Sequence, residues 1–132
     1  MSTKRKAELG IAKAIADLVE KGFEVLVPLS EHSHFDLVIW DGNTFRSVQV
    51  KHRNIQRGSV KVVLGNSWSD KSGHHFMAMD KDVIDIICIY CPQTKECYYV
   101  NPKNFNKQIT LRIDPISDNR EVKWAKDFRK VN

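Results

Sequence analysis

Residues 35–51 read FDLVIWDGNTFRSVQVK. Two apolar runs flank the turn signal DGNT, the pattern of a β-hairpin. With a four-residue loop, Trp40 lies opposite Phe45, Val38 opposite Ser47, Asp36 opposite Gln49 and His34 opposite Lys51. A two-residue DG loop shifts the pairing by two and keeps the same faces; only an odd loop separates them. Side chains alternate along a strand, so Asp36, Gln49 and Lys51 share one face at the end away from the turn. The other face carries Leu37, Ile39, Val48 and Val50 and is apolar.

Upstream, residues 3–21 are expected to be helical, because Ile11, Ile15, Leu18 and Val19 recur with helical spacing and Gly22 follows as a stop. Glu8 precedes Ile11, Ala12, Ile15 and Val19 at helical offsets and so belongs to the same buried stripe. A carboxylate there needs a partner; a helix packed on the sheet would aim Glu8 at Asp36. The alternative is a surface Glu at the margin of the stripe. FEVLVP (23–28) reads as a first strand ended by Pro28.

Downstream, residues 52–80 are basic, polar and glycine-containing, with one short strand expected at VKVVL (60–64). VIDIICIYC (83–91) reads as a buried strand, PQTKE (92–96) as a turn, CYYV (97–100) as the returning arm and ITLRI (109–113) as a further strand. REVKWAKDFRKV (120–131) reads as a closing helix with Trp124, Phe128 and Val131 on one stripe, packing rather than stacking on bases. The element order predicts an α+β or mixed α/β sheet protein.

The length of 132 residues fits one domain with its own core. The formal net charge of +5 favours a polyanionic partner, most simply nucleic acid. No apolar run is long enough for a bilayer span and none reads as a signal peptide, so an intracellular, cytoplasmic protein is expected. Three cysteines cannot all pair, which favours reduced thiols. Cys88 and Cys91 would point to opposite faces of their strand, a poor geometry for a shared zinc ion with Cys97.

An acid, an amide and a lysine on one sheet face suit a divalent cation. Asp36 offers a charged oxygen, Gln49 a neutral carbonyl oxygen and Val50 its peptide carbonyl, the donors a hard ion such as Mg²⁺ takes. Lys51 can orient or deprotonate an attacking water and offset developing negative charge. The alternative is a structural Asp–Lys pair with a hydrogen-bonding Gln at a sheet edge.

These elements resemble the PD-(D/E)xK nuclease superfamily: Glu8 on the first helix, Asp36 on the second strand, and Gln49-Val50-Lys51 on the third. Within it, VQVK and DVIDIICIYCPQTKECYYVNPKNF (82–105) are similar to group I intron-associated homing endonucleases and their free-standing relatives. Archaeal Holliday-junction resolvases share the helix–strand–hairpin opening. The resemblance covers most of residues 5–106. Phe35 stands where the name-giving Pro would be, and Gln49 replaces the second acid, as in some members that cleave DNA.

The resemblance implies a restriction-endonuclease-like core over residues 1–132, a mixed central β-sheet flanked by helices. It implies Mg²⁺, with Mn²⁺ able to substitute, held by Asp36, Gln49, Val50 and Glu8, and cleavage of double-stranded DNA to 5′-phosphate and 3′-hydroxyl ends. Cutting both strands implies a homodimer or homotetramer. A junction-resolving nuclease and a non-catalytic DNA-binding module are the rival functions. The basic residues Lys4, Arg5 and Lys6, and then His52, Arg53, Arg57, Lys61 and Lys71 with Trp68 between them, are the candidates for DNA contact. His34 is a candidate for a secondary role beside Lys51.

Overall fold

The computed structural model describes residues 1–132. In chain order the elements are α1 (Thr3–Glu20), β1 (Glu24–Leu26), β2 (Leu37–Trp40), β3 (Phe45–His52), β4 (Ser59–Val63), β5 (Gly65–Asp70), β6 (Gly73–Ala78), β7 (Ile86–Cys91), β8 (Glu96–Val100) and β9 (Gln108–Arg112). Five strands form the central sheet in the order β1-β2-β3-β7-β8. Only β3 and β7 run parallel; the other neighbours are antiparallel.

The expected hairpin forms in the expected register from Leu37 to Trp40, with Trp40 opposite Phe45 and Val38 opposite Ser47; the ladder ends at Leu37–Val48, so the expected Asp36–Gln49 and His34–Lys51 pairs do not form. Its turn is closed by Asp41, whose Oδ1 accepts from the amides of Asn43 and Thr44, both at 2.8 Å. α1 begins at Ser2, whose hydroxyl accepts from the Arg5 amide, and stops before Gly22, whose φ of +91° ends the helical path.

Each face of the sheet has its own core. α1 lies on the face of Leu37, Ile39, Val48, Cys88 and Tyr99, burying Ala14 and Leu18 against them. The opposite face, with Ile87, Ile89, Tyr98 and Val100, is covered by the β4–β9 pair through Val60, Val62, Ile109 and Leu111. β7 is buried along its whole length, as a continuous apolar strand in the sheet centre should be. Cys88 and Cys97 join the α1-side core and Cys91 the other.

Three expectations change. The closing segment is one 3₁₀ turn, Ala125–Phe128, and not a helix. Trp124 bridges Arg112 in a β-type contact, and the Arg112 amide donates to the Lys123 carbonyl at 2.8 Å. Pairing to β9 therefore takes the backbone groups a helix would need. The sheet is thus flanked by one helix, and strands cover its second face. The 52–80 segment contains three strands, not one: β5 and β6 form an additional two-stranded ribbon.

Candidate active site

Asp36 stands immediately before β2, where the strand pairing changes. Its amide donates to the carbonyl of Val48 at 2.9 Å, although Val48 is the register partner of Leu37. The offset lets the Asp36 side chain turn along β3, and its Oδ2 accepts from the Val50 amide at 2.7 Å. Amide and carbonyl of one strand residue point to the same side, so the Val50 carbonyl also faces this edge, beyond the end of β2.

Gln49 and Lys51 lie opposite Ile87 and Ile89 of β7. Both are half-buried, and the Gln49 amide and Lys51 ammonium make no hydrogen bond or ion pair within the chain. Burial pushes the Lys51 pKa below its ordinary value; neighbouring Arg53 pushes it further and Asp36 opposes both. Arg53 is held in place. Its amide continues the parallel ladder to Tyr90 O at 2.9 Å, its Nε donates to Lys61 O at 3.1 Å and its Nη1 to His52 O at 2.9 Å.

Glu8 does not occupy the buried stripe. Its side chain is half-exposed and paired with Arg5 at 3.0 Å. The true contact line is Gly10, Ala14 and Leu18. A Cβ on Gly10 would stand 3.5 Å from Val50 Cγ1 and from His52 Cβ, so helix and strand meet through the smallest residue. Sequence apolarity misplaced the stripe because glycine carries no hydrophobic signal. No three His, Cys, Asp or Glu side chains converge as a metal-holding group.

The predicted DNA-contact residues separate into groups. Lys6 at the start of α1 lies close enough to His52 to lower its pKa, after the larger effect of burial and ahead of Arg53. His52 packs edge-on to Tyr90 with ring centres 5.8 Å apart. Lys6 and His52 thus lie on the α1 side of β3, with Lys4 and Arg5 exposed at the start of the helix. Arg53 is committed to backbone carbonyls instead of solvent. Arg57 is exposed in the turn before β4, with φ +52°. That turn is clamped by Arg112, whose Nη1 donates to Arg57 O at 2.8 Å, a role with no sequence signal. Lys61 is exposed on β4 and Lys71 at the tip of the β5–β6 ribbon. His34 is exposed in the loop before Asp36.

Residues 1–131 match the family described as PD-(D/E)XK endonuclease. Among solved structures, the bacterial homing endonuclease I-Ssp6803I superposes with a TM-score of 0.77 at 20% identity, covering 98% of this chain and 89% of that one. The Holliday junction resolvase Hjc of Archaeoglobus fulgidus aligns with a TM-score of 0.47 at 14% identity, over 76% of this chain and 86% of its own. No curated protein matches. A match spanning all but the last residue, on a fold that sets Asp36, Gln49 and Lys51 at adjoining strand ends, places the chain in the PD-(D/E)XK endonuclease family.

Proposed function

We propose that residues 1–132 act as one divalent-metal-dependent endonuclease domain on double-stranded DNA, site-specific in the manner of a homing enzyme. One observation carries this reading: a half-buried glutamine amide without any protein partner beside a hydrogen-bonded aspartate and a half-buried lysine. The Gln49 amide atoms keep solvent access, so the oxygen is open to a ligand. The Asp36 carboxylate, the Gln49 amide oxygen and the Val50 carbonyl form a hard-oxygen donor set, which fits Mg²⁺ or Mn²⁺.

When bound, such an ion supplies Lewis acidity at the scissile phosphate and acidifies an attacking water. The chain's own groups do the rest. The Val50 amide fixes the Asp36 carboxylate and leaves Oδ1 for other work. Gln49 offers its oxygen without adding charge beside the phosphate. Lys51, whose pKa burial pushes below its ordinary value, can take a proton at Nζ when neutral or, when protonated, offset the charge growing on the phosphate. Each protomer carries one such site, so cutting both strands calls for a homodimer or homotetramer.

The test incubates linear, supercoiled and four-way-junction DNA with Mg²⁺, Mn²⁺ or Ca²⁺. Cleavage in Mg²⁺ or Mn²⁺ with 5′-phosphate ends is expected. DNA bound but uncut in every metal would establish a non-catalytic binding module, and cutting of the junction alone would establish a resolvase.

A further inference from the structure

The β5–β6 ribbon packs extensively against no other helix or strand. Its root is fixed: the Leu64 amide donates to Lys107 O at 2.8 Å and the Met79 amide to Leu64 O at 3.1 Å. The Phe76 ring crosses Gly65, where an added Cβ would stand 2.7 Å from the ring and 2.3 Å from Met77 O. Lys107 covers that ring at 5.6 Å. The tip is fixed too, since Asp70 Oδ1 accepts from Ser72 N, Ser72 Oγ and His75 Nε2. The ribbon is therefore an ordered projection, held at its root and at its tip.

Register assigns its faces. Ser67, Phe76, Ser69 and His74 share the face of Gly65, where Phe76 packs; Asn66, Trp68, Asp70, His75 and Met77 share the other. On that outward face Trp68 stacks on His75 at 5.3 Å, with Trp68 45% and Met77 63% exposed. An exposed, pre-ordered aromatic plate beside an amide is not what a solvated loop presents.

We propose that this face enters the major groove of DNA and reads base edges, so that Asn66, Trp68 and His75 determine specificity. The inference rests on the nuclease reading above. A ribbon of six residues is roughly 20 Å long and enters a groove about 12 Å wide and 8.5 Å deep, which accepts a two-stranded β-ribbon. Its side chains suit bases more than phosphates: an amide for an adenine edge and an apolar plate for a thymine methyl group. The cations lie at the margins, Lys61 and Lys107 at the root and Lys71 at the tip, where phosphates would run. The ribbon is also tied to the candidate active site, because Arg53, next after β3, donates to Lys61 on the strand that feeds it.

The test uses the full chain and a pool of duplexes randomised over about two helical turns. Capture is carried out in Ca²⁺, so selection reads binding and not cutting. The wild type is expected to enrich a preferred sequence and to protect guanine N7 within it. Asn66→Ala and Trp68→Ala should each relax preference over a contiguous block of base pairs, by about tenfold per lost contact, with the melting midpoint kept. Asn66 lies outside the aromatic stack and remains informative if Trp68→Ala unfolds. Unchanged preference in the folded variants, no preference in the wild type, or protection confined to the minor groove would each overturn the assignment. The nuclease reading is scored separately, by cutting of the same pool in Mg²⁺.

Discussion

The hairpin β2–β3 and the ribbon β5–β6 are both antiparallel pairs with tight connections, yet they relate to the rest of the molecule in opposite ways. β2–β3 presses Leu37, Ile39 and Val48 into the core under α1, keeps Gln49 and Lys51 at the half-buried margin of its other face and holds the Asp36 carboxylate at the strand edge. β5–β6 leaves most of its residues exposed. A hairpin with one buried face has its register fixed by the cost of slipping: a one-residue shift would turn every core side chain to water. Fixed register is what a reaction needs, since reacting groups must be held within a fraction of an ångström. The ribbon has no buried face to satisfy along most of its length, so its side chains are free to be chosen for contact with something else.

The sharpest way to break this contrast is at Asp36 and Lys51. Asp36→Ala and Lys51→Ala should each reduce cleavage by at least about 100-fold, with binding in Ca²⁺ kept. Removing the Asp36 charge should leave affinity equal or higher, because a phosphate no longer meets a carboxylate. Lys51→Arg separates two roles: a guanidinium keeps the positive charge but cannot take a proton near neutral pH. Activity retained in Lys51→Arg would assign Lys51 to charge stabilisation alone. Glu8→Gln, on the exposed turn, should lose far less than Asp36→Ala. Equal losses would mean that Glu8 leaves Arg5 to join the site when DNA binds.

The next effect in size concerns Gln49. Gln49→Leu removes the oxygen at nearly constant volume and should lose cleavage. Gln49→Glu keeps the oxygen and adds charge, so it should stay active or change its preference between Mg²⁺ and Mn²⁺. Because the amide has no partner to lose, both variants should melt close to the wild type. A strongly lowered melt for Gln49→Glu, with activity lost in both metals, would assign the residue to the fold instead.

The two hairpins also mark what can be read from a sequence. The β2–β3 alternation and the all-apolar β7 carry their burial in their letters, so the register from Leu37 to Trp40, the turn length and the shared face of Gln49 and Lys51 were legible; the turn of Asp36 toward the Val50 amide was not. GNSWSD (65–70) is polar on both faces and has the composition of a loop; pairing and the Trp68–His75 stack hold it as a strand, and neither is a local property. Gly10 misled for a related reason. A helix usually contacts its sheet through large apolar groups, and here it does so through the absence of a side chain. The closing segment has helical spacing in only three apolar positions, too few to outweigh main-chain pairing with β9. The ties of Arg53 to the Lys61 and His52 carbonyls were not legible, because a basic residue in a polar stretch says nothing about the carbonyls it will meet.

That last distinction yields a smaller, graded test. Arg57→Ala and Lys61→Ala should weaken binding uniformly across sequences and each reduce the slope of log affinity against log salt by about one, as expected when a phosphate contact is lost. Their melts should not move. Arg53→Ala should instead lower stability by about 1–3 kcal/mol, since it strips charged donors from the Lys61 and His52 carbonyls. If Arg53→Ala changes the salt slope and leaves the melt alone, the guanidinium turns outward to DNA and the ties seen here are incidental.

The smallest effect is expected at His52, on the core-side face of β3 but at the edge of the site. Burial, Lys6 and Arg53 hold its pKa below the ordinary 6.5, so the folded chain resists the proton that the unfolded chain accepts. Stability should therefore fall as pH drops below about 6.5 and stop responding to this group once pH passes below the depressed folded value. If DNA sets a phosphate beside the imidazole, as a DNA contact at His52 requires, the charged form is favoured and binding takes up a proton. Affinity measured in Ca²⁺ should rise a few-fold as pH falls from about 8 to about 6, by at most tenfold for each unit of pKa shift. His52→Gln should remove both the acid-side loss of stability and that gain. If the variant loses the stability response but still binds DNA more tightly at low pH, His52 is a packing residue under α1, and the proton is taken up elsewhere, with His34 and the ribbon histidines His74 and His75 the next to substitute.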